Sequence, residues 1–353
     1  MSEAVPATRP TLLAIGSAFP SLPLTQEELY EGLFQQWYAS LPNAERILRQ
    51  TRVRRRFFAW DPREVFSGGP VSTGQRMEAF ERTVLEVGGR SVSQVLEQVD
   101  RERIGSFAMA RCSGYGGPGP DYFLAREQGL GSSVRRTFVG HMGCFAAFNV
   151  LKVAMDSLAA RPEEHVLVNC SEFSSLHYRP EVDPEQVVIH GLFGDASASA
   201  VLGSAPDGEG VQLLRTHTEQ LWDTHELMTW HVRDDGFHMR LSPFVPFVIA
   251  EHIDAYLEKL LGPAGLGVGD VRHWLIHPGG PKIIEMLARK LELEEAQLRA
   301  TWHVLSEYGN CSSATVLLVL EELLKTDKPR RGEYGVMMAF GPGLTVEGLL
   351  LRF

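Results

Sequence analysis

Short apolar segments alternate with longer helical patterns along the whole chain. The short segments end at glycine or other turn residues, whereas the longer ones carry spaced apolar positions or an Ala- and Leu-rich run. This alternation predicts an α/β protein with strands and helices in separate layers. The predicted strands are 11–16, 104–110, 164–169, 197–202, 211–218, 274–277, 334–340 and 346–353, and the predicted helices are 27–52, 75–99, 143–160, 247–261, 282–291 and 312–324. Residues 1–10 are predicted to be a short disordered lead.

Length, charge and cysteine content limit the class of protein. The 353 residues exceed what one core usually holds, so we expect two domains or a duplicated unit, divided in the acidic stretch 204–210 into domains 1–205 and 206–353. A net charge of −10 argues against a general nucleic-acid binder. The lack of a long uninterrupted apolar run argues against a membrane protein. Four cysteines without a C-x-x-C pair, and no signal-like start, predict a reduced, cytoplasmic protein with no metal site.

Cys144 is the main candidate nucleophile. It follows Gly143 at the start of a predicted helix, where free N–H groups and the helix dipole favour a thiolate over a thiol. A thiolate is the nucleophile that acyl transfer requires. The competing interpretation is a small buried cysteine without a chemical role, which is the commoner situation for a cysteine taken at random.

Two polar residues in the second half of the chain stand at the ends of predicted elements. His277 closes a strand before a Pro-Gly-Gly turn, at the carboxyl edge where α/β proteins form their sites. An imidazole there can act as a base or donor near neutral pH, although a buried core histidine fits the same pattern. Asn310 precedes a predicted helix, so its plainest role is that of an N-cap.

Two further segments have an unusual composition. The loop of Gly341, Pro342 and Gly343 is rigid, and its glycines permit either a tight turn or a close approach of the backbone to a ligand. Residues 52–56 place four arginines in five positions. This cluster favours either phosphate binding or a solvated helix end.

Six segments together resemble a known family. They are Gly143-Cys144-Phe145-Ala146, Cys170-Ser171-Glu172, Leu192-Phe193-Gly194-Asp195, Ile276-His277-Pro278-Gly279-Gly280, Leu305-Ser306-Glu307-Tyr308-Gly309-Asn310 and Phe340-Gly341-Pro342-Gly343-Leu344-Thr345. Their order and spacing, over nearly the whole chain, resemble the type III polyketide synthases, which are chalcone-synthase-like condensing enzymes. The last three segments distinguish this family from the initiating ketoacyl-carrier-protein synthases.

The resemblance implies a fold, an assembly and a chemistry. The fold is a duplicated thiolase fold with five layers, α-β-α-β-α, in a homodimer. Cys144 as thiolate would hold the acyl group, and His277 would raise the thiolate fraction. His277 and Asn310 would then donate hydrogen bonds to a malonyl thioester and to the enolate left by decarboxylation. The substrates would be acyl and malonyl thioesters of CoA or an acyl carrier protein, without a cofactor, and Arg54 and Arg55 would contact the CoA or phosphopantetheine arm.

The implied substrate pocket departs from the family pattern. Phe193 is the implied gatekeeper, and Met239 stands at the second gatekeeper position, which is usually Phe. Trp230 and Ile189 replace usual glycines, and His177 replaces a usual threonine. Because added side-chain volume displaces substrate, we expect a smaller cavity than in chalcone-forming relatives.

Two other parts of the pocket complete this expectation. Gly117 stands where the family often has Met, on the loop that reaches the partner subunit, so a passage toward the dimer interface would open there. The loop of Gly341, Pro342 and Gly343 is expected to border the substrate. Together these features predict one or two condensations and an α-pyrone product.

Other functions stay open from the sequence. One is a stand-alone ketosynthase that joins two carrier-bound β-ketoacyl chains head to head into an α-pyrone. Another is a cysteine hydrolase, since papain-like enzymes also have Cys, His and Asn in this order, although the surroundings of Cys144 do not match theirs. A third is an inactive thiolase-fold binding protein, which would be expected to lack one of the three residues.

Overall fold

The computed structural model describes residues 8–353 and is built around one large mixed sheet. Nine strands pair in the order β11-β12-β13-β8-β1-β7-β6-β4-β5, and two small sheets are formed by β2 with β3 and by β9 with β10. The strands are β1 Thr8–Ala18, β2 Leu22–Thr25, β3 Arg55–Phe58, β4 Ile104–Arg111, β5 Arg135–Gly140, β6 His165–Phe173, β7 Asp195–Pro206, β8 Val211–Gln220, β9 Met228–Arg233, β10 Gly236–Leu241, β11 Val271–Ile276, β12 Tyr334–Gly341 and β13 Thr345–Arg352.

Thirteen α-helical segments lie among the described residues. They are α1 Gln26–Leu29, α2 Gln35–Trp37, α3 Ala44–Gln50, α4 Pro62–Val65, α5 Thr73–Thr83, α6 Gly89–Leu96, α7 Pro120–Glu127, α8 Ala146–Ala160, α9 Pro184–Leu192, α10 Val245–Leu261, α11 Pro281–Lys290, α12 Arg299–Tyr308 and α13 Thr315–Thr326. Short 3-10 turns, Gly143–Phe145 and Ser312–Ala314, lead into α8 and α13, and a π-helical segment, Val84–Gly88, joins α5 to α6.

The large sheet contains the same strand arrangement twice. In the first half, β1 is antiparallel to β7, β7 is antiparallel to β6, and β6 is parallel to β4. In the second half, β8 is antiparallel to β13, β13 is antiparallel to β12, and β12 is parallel to β11. Within the sheet, the two halves are joined where Thr11 and Leu12 of β1 pair with Gln212 and Val211 of β8. This repeat confirms the predicted duplication.

Three hydrophobic cores separate the sheet halves from the helices. Helices α8 and α13 lie between the two halves, in a core that takes side chains from both. Helices α10 and α11 cover the outer face of the second half, and α5 and α6 cover the outer face of the first. The five predicted layers are therefore present. The helix Gly143–Ala160 is apolar enough to cross a membrane by length and composition alone, but here it is this central core helix.

The structure corrects several predictions of secondary structure. Residues 8–10 belong to β1, because they pair with 204–206 of β7; the rest of the predicted disordered lead lies outside the described residues. The helix predicted at 27–52 is interrupted between Trp37 and Ala44. The β9–β10 hairpin and helix α12 were not predicted, and the hairpin proves important for the site.

Candidate active site

Segments from both halves of the sheet surround one small cavity. Cys144 lies in the 3-10 turn before α8, His277 follows the last residue of β11, and Asn310 comes shortly before α13. The gatekeeper positions and one residue of the Gly-Pro loop face the same space. The predicted residues that line this cavity are Cys144, Phe193, Trp230, Met239, His277, Asn310 and Pro342.

The turn that carries Cys144 is held by the Gly-Pro loop. Gly143 has φ +74°, and a Cβ there would lie 2.6 Å from Cδ of Pro342. A Cβ on Gly341 would lie 2.5 Å from the ring of Phe145. The glycines therefore allow the backbone of the loop to approach the nucleophile turn. Pro342 lines the cavity, whereas Gly341 and Gly343 do not.

The side chain of Asn310 is oriented by the turn that follows it. Its Oδ1 accepts a hydrogen bond from the backbone N–H of Ser312 at 2.8 Å and lies 3.4 Å from Oγ1 of Thr315. Both amide atoms lie 3.9 Å from Sγ of Cys144. The N-cap interpretation is wrong, because Cys311 precedes the 3-10 turn, Ala314 precedes α13, and neither element has a side-chain cap. Oδ1 instead binds the Ser312 N–H within the turn, which leaves the Nδ2 donor for the cavity.

His277 presents an unpartnered imidazole to the cavity. The residue is 1% exposed, and neither ring nitrogen has a hydrogen-bond partner among residues 8–353. Its backbone N–H donates to the carbonyl of Met338 at 2.8 Å, which fixes its position beside β12. Because an unsatisfied buried donor costs about 1–3 kcal/mol, this ring suits a site where a ligand supplies the missing partner.

Burial determines the protonation of the two reactive groups. It raises the pKa of Cys144 to about 12, although hydrogen bonds with Ser312 and Asn310 act in the opposite direction. Burial also lowers the pKa of His277 to about 3. Burial therefore favours the neutral form of each group when the other is neutral. The thiolate at Cys144 stays a prediction, which depends on a proton passing from the thiol to His277.

Glu172 is a cavity residue to which the sequence analysis gave no role. One carboxylate oxygen accepts hydrogen bonds from the backbone N–H groups of Cys112 and Ser113 and from the Ser113 hydroxyl, and the other accepts from Ser313. The residue is 0% exposed, and burial raises its pKa. The sequence did offer a signal for such a role, because Glu172 is the one acidic residue in the otherwise uncharged segment that forms the buried strand β6.

An aromatic wall keeps the cavity small. The cavity beside Cys144 has about 30 Å³ of free volume, and a second void of about 20 Å³ lies beyond it. Phe193, Trp230 and Met239 line both spaces. Trp230 pairs with Met239 across the β9–β10 hairpin, and its indole N–H donates to the carbonyl of Cys112 at 2.9 Å. These side chains occupy the space in which a growing chain would have to lie, and the comparison of its volume with that of chalcone-forming relatives stays a prediction.

Not every predicted pocket residue reaches Cys144. His177 and Ile189 line the second void and not the first. His177 is held by the carbonyl of Ser113 at 2.7 Å from Nε2, and burial lowers its pKa to about 3. Gly117 lies on an exposed loop and lines neither space.

A wider cavity of about 460 Å³ adjoins the first and shares Gly279, Ile283 and Leu241 with it. Its lining includes Lys282, whereas Arg54 and Arg55 are absent from the lining. Both arginines pair instead with Glu307, at 3.0 Å from Arg55 Nε. The predicted contact of Arg54 and Arg55 with a pantetheine arm therefore has no support from this geometry. The acidic partner, more than 250 positions away along the chain, was not foreseen.

This duplicated fold, with its buried cavity between the halves, is that of the thiolase-like condensing enzymes. Two family models, the N-terminal and C-terminal domains of chalcone and stilbene synthases, match residues 2–206 and 212–353. The chain therefore belongs to the chalcone and stilbene synthase family. It is a condensing enzyme of the type III polyketide synthase kind, and hence an acyltransferase.

Solved structures support the same assignment. The chain is 29% identical to PKS-I from the brown alga Ectocarpus siliculosus, with a TM-score of 0.93 over 100% of both chains. It is 26% identical to the C-terminal type III polyketide synthase domain of Steely1 from Dictyostelium, with a TM-score of 0.91 over 98% and 99%. It is 28% identical to 1,3,6,8-tetrahydroxynaphthalene synthase from Streptomyces coelicolor, with a TM-score of 0.90 over 97% and 99%.

Proposed function

We propose that this enzyme loads an acyl group onto Cys144, extends it once or twice with malonyl units by decarboxylative Claisen condensation, and releases an α-pyrone. The observation that carries the proposal is the meeting of a buried thiol, an oriented amide and an unpartnered imidazole in one cavity. Cys144 is the nucleophile, and His277 and Asn310 are the hydrogen-bonding pair.

Loading begins with both groups neutral. As the sulfur of Cys144 attacks the thioester carbonyl, the imidazole of His277 takes the thiol proton. Collapse of the tetrahedral intermediate expels the donor thiolate, which takes that proton from the imidazolium. The acyl group is then held as a thioester on Cys144. Transfer of the proton during attack avoids an isolated thiolate, which burial disfavours here.

Extension uses the hydrogen-bond donors of the second half. Nδ2 of Asn310 and a ring N–H of His277 bind the thioester carbonyl of the malonyl donor. Cleavage of its bond to the carboxylate releases CO₂ and leaves the electron pair as an enolate. The enolate carbon attacks the acyl carbonyl, a carbon–carbon bond forms, and the Cys144 sulfur leaves as a thiolate that takes up a proton from solvent. The extended chain is now on the donor thiol, and a second extension begins with its transfer back to Cys144. One such donor contributes about 3 kcal/mol, and a neutral amide does not repel the enolate as a carboxylate would.

The cavity favours short extension. A free volume of about 30 Å³ beside Cys144 leaves little room for a folded tetraketide, and Phe193, Trp230 and Met239 close its far side. Pyrone closure needs only an enol oxygen that attacks the terminal thioester and expels its thiol. The apolar ring of Phe193 excludes water from the malonyl carboxylate, so that loss of CO₂ is favoured over solvation.

The adjoining cavity of about 460 Å³ supplies a route for a pantetheine arm. It shares its inner residues with the space beside Cys144, and Lys282 provides a cation on its lining. CoA and an acyl carrier protein carry the same arm, so both remain candidate donors. Arg54 and Arg55 would meet such a donor only outside the cavity.

A homodimer is also proposed, from the exposed edge of the sheet. Strand β5 has only β4 as a neighbour, and three large apolar side chains are exposed on or near it: Phe138 at 42%, Met142 at 40% and Tyr122 at 42%. A bare edge with exposed apolar residues is a favourable surface for association. Gly117 lies on a loop of the same half. A Phe138→Glu variant should change the mass measured by light scattering from dimer to monomer.

The test of function is incubation of the purified enzyme with a panel of acyl-CoA thioesters and malonyl-CoA. We expect CO₂ release together with an α-pyrone that contains a simple acyl starter plus two two-carbon units, or a β-ketoacyl starter plus one, because ring closure needs an enol oxygen on the fifth carbon from the thioester. Free acid without CO₂ would indicate a hydrolase, and no turnover with retained binding would indicate a binding protein. A product formed only from two β-ketoacyl carrier proteins, without CO₂, would support head-to-head joining.

A further inference from the structure

Arg56 is a fully buried cation next to the candidate active site. The residue is 0% exposed, and burial lowers its pKa. Its guanidinium donates to neutral acceptors. Nη1 donates to the Tyr178 hydroxyl at 2.8 Å and to the carbonyls of His190 at 2.6 Å and Phe193 at 2.8 Å. Nη2 donates to the amide oxygen of Gln26. A buried charge is costly even when it is hydrogen-bonded, so this arrangement calls for an explanation.

The backbone that Arg56 binds is the segment that carries the gatekeeper. Phe193 forms a parallel bridge with Asn310. In this bridge the Asn310 N–H donates to the Leu192 carbonyl at 2.8 Å, and the Gly194 N–H donates to the Asn310 carbonyl at 3.0 Å. The hydrogen bond from Arg56 to the Phe193 carbonyl therefore acts on one side of a bridge whose other side is Asn310.

The aliphatic part of Arg56 fills the space beneath the same bridge. A Cβ on Gly194 would lie 3.2 Å from Cβ and Cγ of Arg56, and a Cβ on Gly309 would lie 2.8 Å from its Cδ. Gly309 also has φ +69°, a conformation that favours glycine. Gly309, immediately before Asn310, and Gly194, immediately after Phe193, therefore allow both sides of the bridge to pack closely against the Arg56 side chain.

We propose that Arg56 is a positioning residue for the extension step, which holds the Phe193–Asn310 bridge so that Nδ2 of Asn310 meets the malonyl carbonyl. The proposal rests on the proposed function of Asn310. Cys144 lies on a different element, the turn before α8, and is not among the hydrogen-bond partners of Arg56. Arg56 therefore matters for decarboxylation and not for acyl loading.

Lysine cannot take over this role in full. The guanidinium reaches two carbonyls and a hydroxyl with one nitrogen and Gln26 with another, whereas an ammonium has a single nitrogen on a flexible stem. Arg56→Lys should keep the fold but hold the bridge less firmly. Arg56→Ala removes the whole side chain and leaves a void that free guanidinium ion can enter.

The experiment measures two steps separately in wild type, Arg56→Lys and Arg56→Ala. Loading is followed as the acyl adduct of Cys144 by intact-protein mass spectrometry, and decarboxylation as CO₂ released from malonyl-CoA. We expect decarboxylation to fall about tenfold in Arg56→Lys and about 100-fold in Arg56→Ala, with loading within about threefold of wild type. Millimolar guanidinium should restore part of the activity of Arg56→Ala, and methylammonium should restore less.

Arg76→Lys is the matched control. Arg76 is also buried, at 2% exposure, and donates to the backbone carbonyls of Leu176 and Tyr178, but it makes no hydrogen bond to the Phe193–Asn310 bridge. Its substitution should affect loading and decarboxylation equally. If Arg56→Lys slows both steps by one factor, as the control does, or leaves decarboxylation unchanged, the positioning role is refuted. If Asn310→Ala itself retains decarboxylation, the proposed function of Asn310 fails instead, whatever the Arg56 variants show.

Discussion

The two halves of the large sheet have the same topology but carry different side chains at matching positions. In the first half, Cys112 follows β4 and Cys144 precedes the central helix α8. In the second half, His277 follows β11 and Asn310 precedes the central helix α13. The duplicated fold therefore brings two thiols from one half and two nitrogen donors from the other to one cavity.

This difference shows how one architecture supplies two kinds of chemistry. The first half offers a nucleophile that can hold an acyl group, and the second offers donors that can stabilise an enolate. Within the sheet, the halves are joined through only two residue pairs. The two sets of side chains come together in the cavity at the common end of the halves. Each half alone would lack one part of the reaction.

Alanine substitution at the equivalent positions 112 and 277 should give the largest difference in turnover between the two halves. His277→Ala removes the proton acceptor and donor, so turnover should fall by about 10²–10⁴-fold. Cys112 only accepts a weak hydrogen bond from the Gly143 N–H at 3.1 Å, and Cys112→Ala should cost less than about tenfold. Steady-state pyrone formation measures both, and similar losses would remove the distinction between the halves.

Asn310→Asp separates the two functions of this side chain. The variant keeps an oxygen to accept from the Ser312 N–H, so the melting temperature should remain close to that of wild type. It loses the Nδ2 donor and places a negative charge beside the enolate, and CO₂ release should fall about 10²–10³-fold. Loading of Cys144 should persist. An Asp variant that still decarboxylates malonyl-CoA at the wild-type rate would contradict the role of the second half.

Trp230→Gly tests the aromatic wall. Removal of the indole joins the voids of about 30 Å³ and 20 Å³, so products should gain one or two additional two-carbon units. Trp222→Gly is the control, because Trp222 is 79% exposed and lines neither void. Product masses by liquid chromatography and mass spectrometry decide the matter, and an unchanged chain length in Trp230→Gly would refute the volume argument.

The smallest expected effect concerns acid stability. Burial lowers the pKa of His177, His190 and His277 to about 3, whereas the unfolded chain binds a proton at each near pH 6.5. Stability should therefore fall as the pH drops below 6.5, by about 1.4 kcal/mol per pH unit for each histidine. His190→Asn should remove about 1.4 kcal/mol per pH unit from the slope in urea titrations between pH 5 and 6. An unchanged slope would show that His190 is protonated in the folded state.

Local patterns were sufficient to predict the α/β class, whereas the duplicated five-layer fold was predicted from the resemblance of six segments to a known family. The apolar strands and the Ala-rich helix after Cys144 were predicted from their composition and spacing. His277 and Asn310 were predicted at the ends of elements, which is where the structure has them. The β9–β10 hairpin was missed because Met228–Arg233 is short, polar in part and outside the main sheet. The burial of Cys144, which raises its pKa, was missed because desolvation depends on packing that no local pattern reveals.

The arginine cluster shows the same dependence on packing. Residues 52–56 look alike in sequence, yet Arg52 pairs with Glu285, Arg54 and Arg55 pair with Glu307, and Arg56 is fully buried. Their partners come from distant parts of the chain, so composition could not separate a surface ion pair from a buried support of the site.

The most direct test of the division between the halves is the location of the acyl group. The enzyme is incubated with an acyl-CoA without malonyl-CoA, digested, and analysed for the modified peptide. We predict one acyl adduct on Cys144, present in Asn310→Ala and absent in Cys144→Ala, which should also lose all pyrone formation. An adduct on Cys112, or turnover that survives in Cys144→Ala, would contradict the account.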